Sequence, residues 1–263
     1  MAVRMIECKS AVSPSRLPGL DFALNPYRGC SHRCAYCYAQ DVTRFEMAKP
    51  WGEDIEVKVN LVAALGKQLE RRSQGVYGIG TVTDPYQPLE KEHELTRGCL
   101  SLLRSKGASV SILTKSDLVT RDLDILRGWE TAEVGVSIGC ADPSLASVLV
   151  PGAPPPQRRF EALKKLKDAG IPVYVMAAPI ILGLSDSDEM IRSLVAGVRE
   201  AGVPKVMWDK FNSKPIASSR LRKVLLTNGM MWEAPDSNQR MEHVRSILRT
   251  ECAQARLELS EAF

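Results

Sequence analysis

The sequence predicts an α/β protein: a partial (βα)6 barrel of the TIM type, followed by a C-terminal helical extension. Three features predict it. Short runs rich in Val and Ile recur along the chain, amphipathic stretches separate them, and a glycine follows each of those stretches closely. Such a series is the signature of βαβ units, which right-handed crossovers assemble into a parallel sheet.

The strands expected are Val76–Val82, Ser109–Leu113, Glu133–Ile138, Pro172–Ala177 and Lys205–Trp208, apolar enough to be covered by helices. Between them Leu89–Ser105, Leu118–Trp129, Gln157–Asp168 and Glu189–Ala201 read as amphipathic helices. Gly107, Gly128, Gly170 and Gly202 stand where a left-handed residue closes a helix. A further unit starting at Asn25–Tyr27 supplies a first strand and brings the count to about six, so an open barrel fits better than a closed eight-stranded one. The chain thus divides into an N-terminal extension (1–24), a barrel core (25–215) and a C-terminal extension (216–263). The last reads as two helices about a loop holding Gly229, Trp232 and Pro235.

Composition narrows the class. The chain has 263 residues, of which 44% are hydrophobic and 25% charged, as in an ordinary globular protein. No run approaches the about 18 apolar residues of a membrane span, and Glu7 interrupts the start, so no secretory signal and a cytoplasmic location are expected. Lys and Arg (35) nearly balance Asp and Glu (31), for a net charge of +4. That leaves nucleic-acid binding possible but unsupported by charge. The basic clusters Arg158–Arg159, Lys164–Lys165–Lys167 and Arg220–Arg222–Lys223 read as solvated helix faces.

Three of the seven cysteines fall within eight residues, while Cys8, Cys99, Cys140 and Cys252 are scattered. A disulfide framework would be shorter, denser and evenly paired. In the segment NPYRGCSHRCAYCYAQ, Cys30, Cys34 and Cys37 form a C-x-x-x-C-x-x-C triplet with only His32 nearby to complete a zinc set. Three thiolates suit a 4Fe–4S cubane whose fourth iron stays open to a ligand. The strand ends expected to face that loop read Gly80-Thr81-Val82-Thr83-Asp84, Thr114-Lys115-Ser116 and Ser137-Ile138-Gly139-Cys140, where small, hydroxylic and charged residues gather.

A C-x-x-x-C-x-x-C loop after the first strand of a partial barrel resembles the radical S-adenosylmethionine (SAM) superfamily. The segments NPYRGCSHRCAYCYA, GTVTDPYQPLE, ILTKSDLVTRDLDIL, VGVSIGCADPSLASVLVPGAPPPQRRFEALKKLKDAG and YVMAAPI, in that order, are similar to the spore photoproduct lyase-like family across roughly 25–215. The resemblance implies a 4Fe–4S cluster on Cys30, Cys34 and Cys37, SAM on its open iron, and an electron donor such as flavodoxin or ferredoxin. It implies reductive cleavage of SAM to a 5′-deoxyadenosyl radical that takes a hydrogen atom from an organic substrate, with a nucleoside or nucleic-acid derivative favoured.

By the same resemblance Tyr36 packs near the adenine, while Thr83, Lys115 and Ser137 contact the methionine end of SAM at the strand termini. A packing aromatic is the other reading of Tyr36, and a side chain reaching to the rim that of Lys115. Arg159 is either an aid to the carboxylate or a surface ion-pair partner. Thr81 is expected among the residues at the cofactor; it stands where spore photoproduct lyase carries its hydrogen-donor cysteine, and an O–H bond is too strong for that role. Tyr36 and Tyr38 match the family's tyrosine route. Cys140 is either a thiol donor, as in a radical epimerase or tailoring enzyme, or a small buried hydrophobe. A non-catalytic iron–sulfur or zinc module is the remaining alternative.

Overall fold

The computed structural model describes residues 1–43, 51–71, 74–233 and 237–262. Among them β1 (Ala2–Ile6), β2 (Val12–Pro14), β3 (Phe22–Leu24), β4 (Tyr27–Arg28), β5 (Asp54–Lys58) and β6 (Val76–Ile79) precede the larger strands. Those are β7 (Ser109–Thr114), β8 (Ala132–Ser137), β9 (Val173–Ile180), β10 (Lys205–Lys210) and β11 (Glu258–Glu261). The main sheet runs β11-β10-β9-β8-β7-β6-β3-β2 and is parallel from β3 to β11. Strands β3 and β6 to β10 make the six-stranded partial barrel.

Strand alternation gives this sheet two unlike faces. Val110 and Ile112 on β7, Val134 and Val136 on β8, Val175 on β9 and Val206 on β10 share one core with helix residues such as Leu103, Leu163 and Leu248. The opposite parity, Leu113, Met176, Met207 and Asp209 among others, faces the barrel interior and is only half-buried. Gly107, Gly128, Gly170 and Gly202 each close a helix with positive φ. After the Pro156–Asp168 helix, the Ile171 N–H returns to the Leu166 carbonyl at 3.1 Å.

Several expectations shift, each for a visible reason. The first barrel strand is Phe22–Leu24 rather than Asn25–Tyr27. Asn25 instead uses its side chain, accepting from Val82 N–H at 3.0 Å and donating to Thr81 Oγ1 at 2.9 Å. Tyr27–Arg28 leaves for a small second sheet with β5 and β1. The expected helix Leu89–Ser105 breaks at Glu94, where φ is 47°. Buried Glu90 reaches past the break and accepts from the N–H groups of Thr96 (3.0 Å) and Arg97 (3.2 Å), capping the second segment.

The expected helix Leu118–Trp129 opens instead as a 3₁₀ turn over Asp117–Asp122. The tail holds the helices Pro215–Thr227 and Ser237–Gln254, and adds β11, which lacks β-branched residues and so gave no strand signal. Pro235 lies outside the described residues. Among those described, no helix is long and apolar enough to cross a membrane.

Candidate cluster and cofactor site

The cysteine loop follows β4, past the carboxyl end of β3, and folds into tight turns. Arg33 N–H donates to the Cys30 carbonyl and Cys37 N–H to the Cys34 carbonyl, each at 3.2 Å. Gly29 opens the loop with φ 79°, and a Cβ there would stand 2.4 Å from the Asp54 carbonyl oxygen, so only glycine fits. Cys30 and Cys34 are buried, Cys37 is half-buried, and all three are free thiols.

A floor of side chains from the loop after β6 carries this turn. Thr83 Oγ1 donates to the Gly29 carbonyl at 2.6 Å. Gln87, fully buried, accepts from Ser31 N–H (2.9 Å) and Ser31 Oγ (3.1 Å), and donates to Thr83 Oγ1 (3.2 Å). Asp84 accepts from Thr114 Oγ1 (2.6 Å), Lys115 N–H (2.7 Å) and Tyr86 N–H (2.9 Å). His32 Nδ1 lies 3.1 Å from the Asp84 carboxylate, without the alignment of a hydrogen bond. Burial pushes the Asp84 carboxyl up, but His32 and these donors outweigh it and hold it well below the usual carboxylate range.

Burial pushes the Cys37 thiol up to about 11, with Cys34 adding to the rise and Arg220 and Lys115 opposing it. Cys30 and Cys34 are raised by burial as well. Such a triplet becomes anionic only when a metal group supplies positive charge. Among the described residues no three His, Cys, Asp or Glu side chains gather as one metal ion requires. Three thiolates on a cubane each bind a different iron, so three cysteines on one tight loop suit a cluster.

Above the loop lie the other expected site residues. Lys115 sits at the end of β7 with its Nζ 5.8 Å from the Tyr36 ring centroid. Burial opposes its charge, but Tyr36, Cys34 and Asp84 together keep the ammonium's pKa above its usual value. Ser137 ends β8 and donates to the Ala178 carbonyl at 3.0 Å. Arg159 is 2% exposed, with Nε on the Pro154 carbonyl (2.7 Å), Nη1 on the Ser137 carbonyl (3.1 Å) and Nη2 buried without a partner.

Tyr36, Gly139, Cys140, Arg159 and Pro179 line one small cavity. Cys140 lies beyond the end of β8, its Sγ 3.8 Å from the Asp142 carbonyl, and burial pushes its thiol up to about 11.

Two hydroxyls are engaged elsewhere than expected. Thr83 is taken up by the loop as described, and Thr81 Oγ1 by Asn25. Tyr38, 38% exposed, donates to the Thr81 carbonyl at 2.8 Å. Two arginines from the clusters read as solvated faces turn inward: Arg159, and Arg220 of the tail helix, which contacts the Ala35 carbonyl at 3.1 Å. Sequence reasoning missed Arg220, Asp41 and Gln87. Only Gln87 carried a signal, inside the GTVTDPYQPLE segment.

Comparisons with known proteins bear on the family and the fold. The profile of the Radical SAM superfamily matches residues 24–195. An uncharacterized protein of Methanocaldococcus jannaschii is 36% identical over 186 residues, covering 71% of this chain and 70% of its own. One of Mycobacterium bovis is 35% identical over 213 residues, covering 76% of this chain and 62% of its own length.

Among solved structures, spore photoproduct lyase complexed with dinucleoside spore photoproduct superposes with a TM-score of 0.74 at 16% identity, over 99% of this chain and 82% of that one. Streptococcus suis SuiB bound to S-adenosylmethionine gives 0.61 at 14% identity, over 91% and 49%. At such identities the likeness is one of fold. The superfamily's cofactors are a 4Fe–4S cluster and SAM.

Proposed function

The chain belongs to the radical SAM superfamily, and from that premise we propose that it binds SAM over a cluster on Cys30, Cys34 and Cys37 and turns the resulting radical on a nucleoside- or nucleic-acid-derived substrate. The observation that carries the SAM-binding part is Arg159 Nη2, a buried cationic nitrogen with no acceptor, in the cavity that Tyr36 lines. Leaving such a donor unpaired costs about 1–3 kcal/mol, so the site is built to receive an anionic oxygen. The methionine carboxylate of SAM fits, with Lys115 as its second cation.

When bound and reduced by an external one-electron donor, the cluster would supply the electron that breaks the sulfonium C5′–S bond, giving methionine and the 5′-deoxyadenosyl radical. The protein's part is aim and exclusion of water. Tyr36 would flank the adenine, while Lys115 and Arg159 would fix the carboxylate and Ser137 would border it. Thr83 and Thr81 act at one remove, Thr83 by holding Gly29 and Thr81 by holding Tyr38 through its carbonyl. The substrate enters the barrel interior past Leu113, Met176, Met207 and Asp209, half-buried side chains on the lumen parity of β7, β9 and β10.

The substrate class rests on the fold shared with a lyase solved with a dinucleoside. Its test is the rate of 5′-deoxyadenosine formation by the reduced enzyme across nucleosides, oligonucleotides, sugars and peptides. Stimulation by the nucleoside group alone is expected; stimulation by peptides alone would move the substrate to that class.

A second reading rests on Cys140, which lines the same cavity as Tyr36 and Arg159. A thiol there would return a hydrogen atom to the substrate, as an epimerase requires. Product of unchanged mass, lost in Cys140→Ser while deoxyadenosine still forms, would select it.

A further inference from the structure

We propose that Arg220 is a positioning residue of the iron–sulfur centre, a latch by which the tail helix fixes the cysteine loop. The inference rests on the reading of Cys30, Cys34 and Cys37 as cluster ligands. Its observations come from the helix that sequence assigned to an appendage.

The Arg220 guanidinium spreads its donors over three loop acceptors. Nε donates to the Ala35 carbonyl at 3.1 Å, Nη2 to the carbonyl of Cys37, and Nη1 to Gln40 Oε1. Ala35 and Cys37 span the second half of the triplet, so the fork fixes the backbone that sets the distance from Cys34 to Cys37. The guanidinium also lies 5.5 Å from the centroid of the Trp51 ring, and Trp51 is buried.

The grip is reciprocal. Asp41, four residues past the last ligand, accepts from Ile216 N–H (2.9 Å) and Ala217 N–H (3.0 Å), capping the 13-residue helix that carries Arg220. The loop thus holds the helix through a carboxylate, and the helix holds the loop through a planar fork that lysine cannot imitate. Ligand-supporting contacts of this kind retain metal groups, and a nearby positive charge favours the reduced state of a cluster.

The test uses the full chain, reconstituted anaerobically, as wild type, Arg220→Lys and Arg220→Met. Three quantities are read: iron bound per chain, the rate of iron loss to a chelator, and the midpoint potential. We expect Arg220→Met to release iron at least about ten-fold faster and to have a lower potential. Arg220→Lys should release iron faster than wild type at nearly unchanged potential, because charge persists and the fork does not.

Wild-type release rates in both variants would overturn the proposal. If Arg220→Met does not fold as apoprotein by circular dichroism, the release rate of Arg220→Lys decides alone. A wild-type chain that takes up no iron would instead overturn the reading of the cysteines.

Discussion

The cysteine loop is gripped from two sides by unlike chemistry. On the β6 side Thr83, Asp84 and Gln87 come from one short segment, each at most 9% exposed. On the tail side Asp41 and Arg220 are half-buried, and their contacts join residues 175 to 185 positions apart. The first side is a fixed floor whose hydrogen bonds lie within the buried interior. The second is a peripheral latch, closed only when the tail has folded against the loop. A buried floor sets geometry, and its loss is felt by the whole fold; a latch governs retention and potential, and its loss is felt by the bound group.

Substitutions in the floor sharpen this contrast. The largest effect is expected for Asp84→Ala, which strands Thr114, Tyr86, Lys115 and His32 around a missing carboxylate. Removing one partner from a buried charged set costs roughly 3–5 kcal/mol, measurable as a lower midpoint in urea unfolding of the apoprotein. The same carboxylate makes stability depend on pH. Its folded pKa is depressed, so its contribution is complete above an unfolded value of about 4 and is lost as the pH falls below that. Asp84→Ala should therefore lose most of its difference from wild type in strong acid. An equal difference at every pH would contradict the assignment.

Lys115→Ala comes next and acts on ligand binding. Its ammonium lies over Tyr36 and has no carboxylate within ion-pair distance among the described residues. We expect SAM affinity to fall by about 1.5–3 kcal/mol, with iron content unchanged. Isothermal titration of the loaded protein gives the number, and unchanged affinity would mean that the side chain does not reach the carboxylate.

Thr83→Val should be smallest in stability. It removes one hydrogen bond to Gly29 and one from Gln87, for a loss of about 1 kcal/mol each, read as a modest shift of the same unfolding midpoint. A loss as large as that of Asp84→Ala would place Thr83, rather than Asp84, at the centre of the floor.

What was legible follows the same division. The βαβ series, the cysteine triplet and the strand-end residues are local patterns, and Lys115 and Ser137 stand at or next to the ends of β7 and β8. Thr81 and Thr83 lie just past β6, and their hydroxyls are engaged by Asn25 and Gly29, which sequence spacing does not encode. Arg159 and Arg220 sat in clusters that look solvated, because a buried guanidinium is made by distant carbonyls rather than by neighbours in sequence. Strand β11 escaped notice because four residues without β-branching carry no period. The break at Glu94 escaped notice because the capping carboxylate of Glu90 sits inside what reads as one amphipathic run.

The central claim is that this chain performs radical SAM chemistry at Cys30, Cys34 and Cys37. Its most direct test is the chromatographic assay of 5′-deoxyadenosine and methionine from SAM, using anaerobically reconstituted, dithionite-reduced protein. Wild type should bind about four irons and form both products, slowly, even without substrate. The triple substitution of the three cysteines by Ala should bind no cluster and form neither. Stoichiometric zinc without iron uptake, or an iron-loaded wild type that leaves SAM intact, would contradict the account.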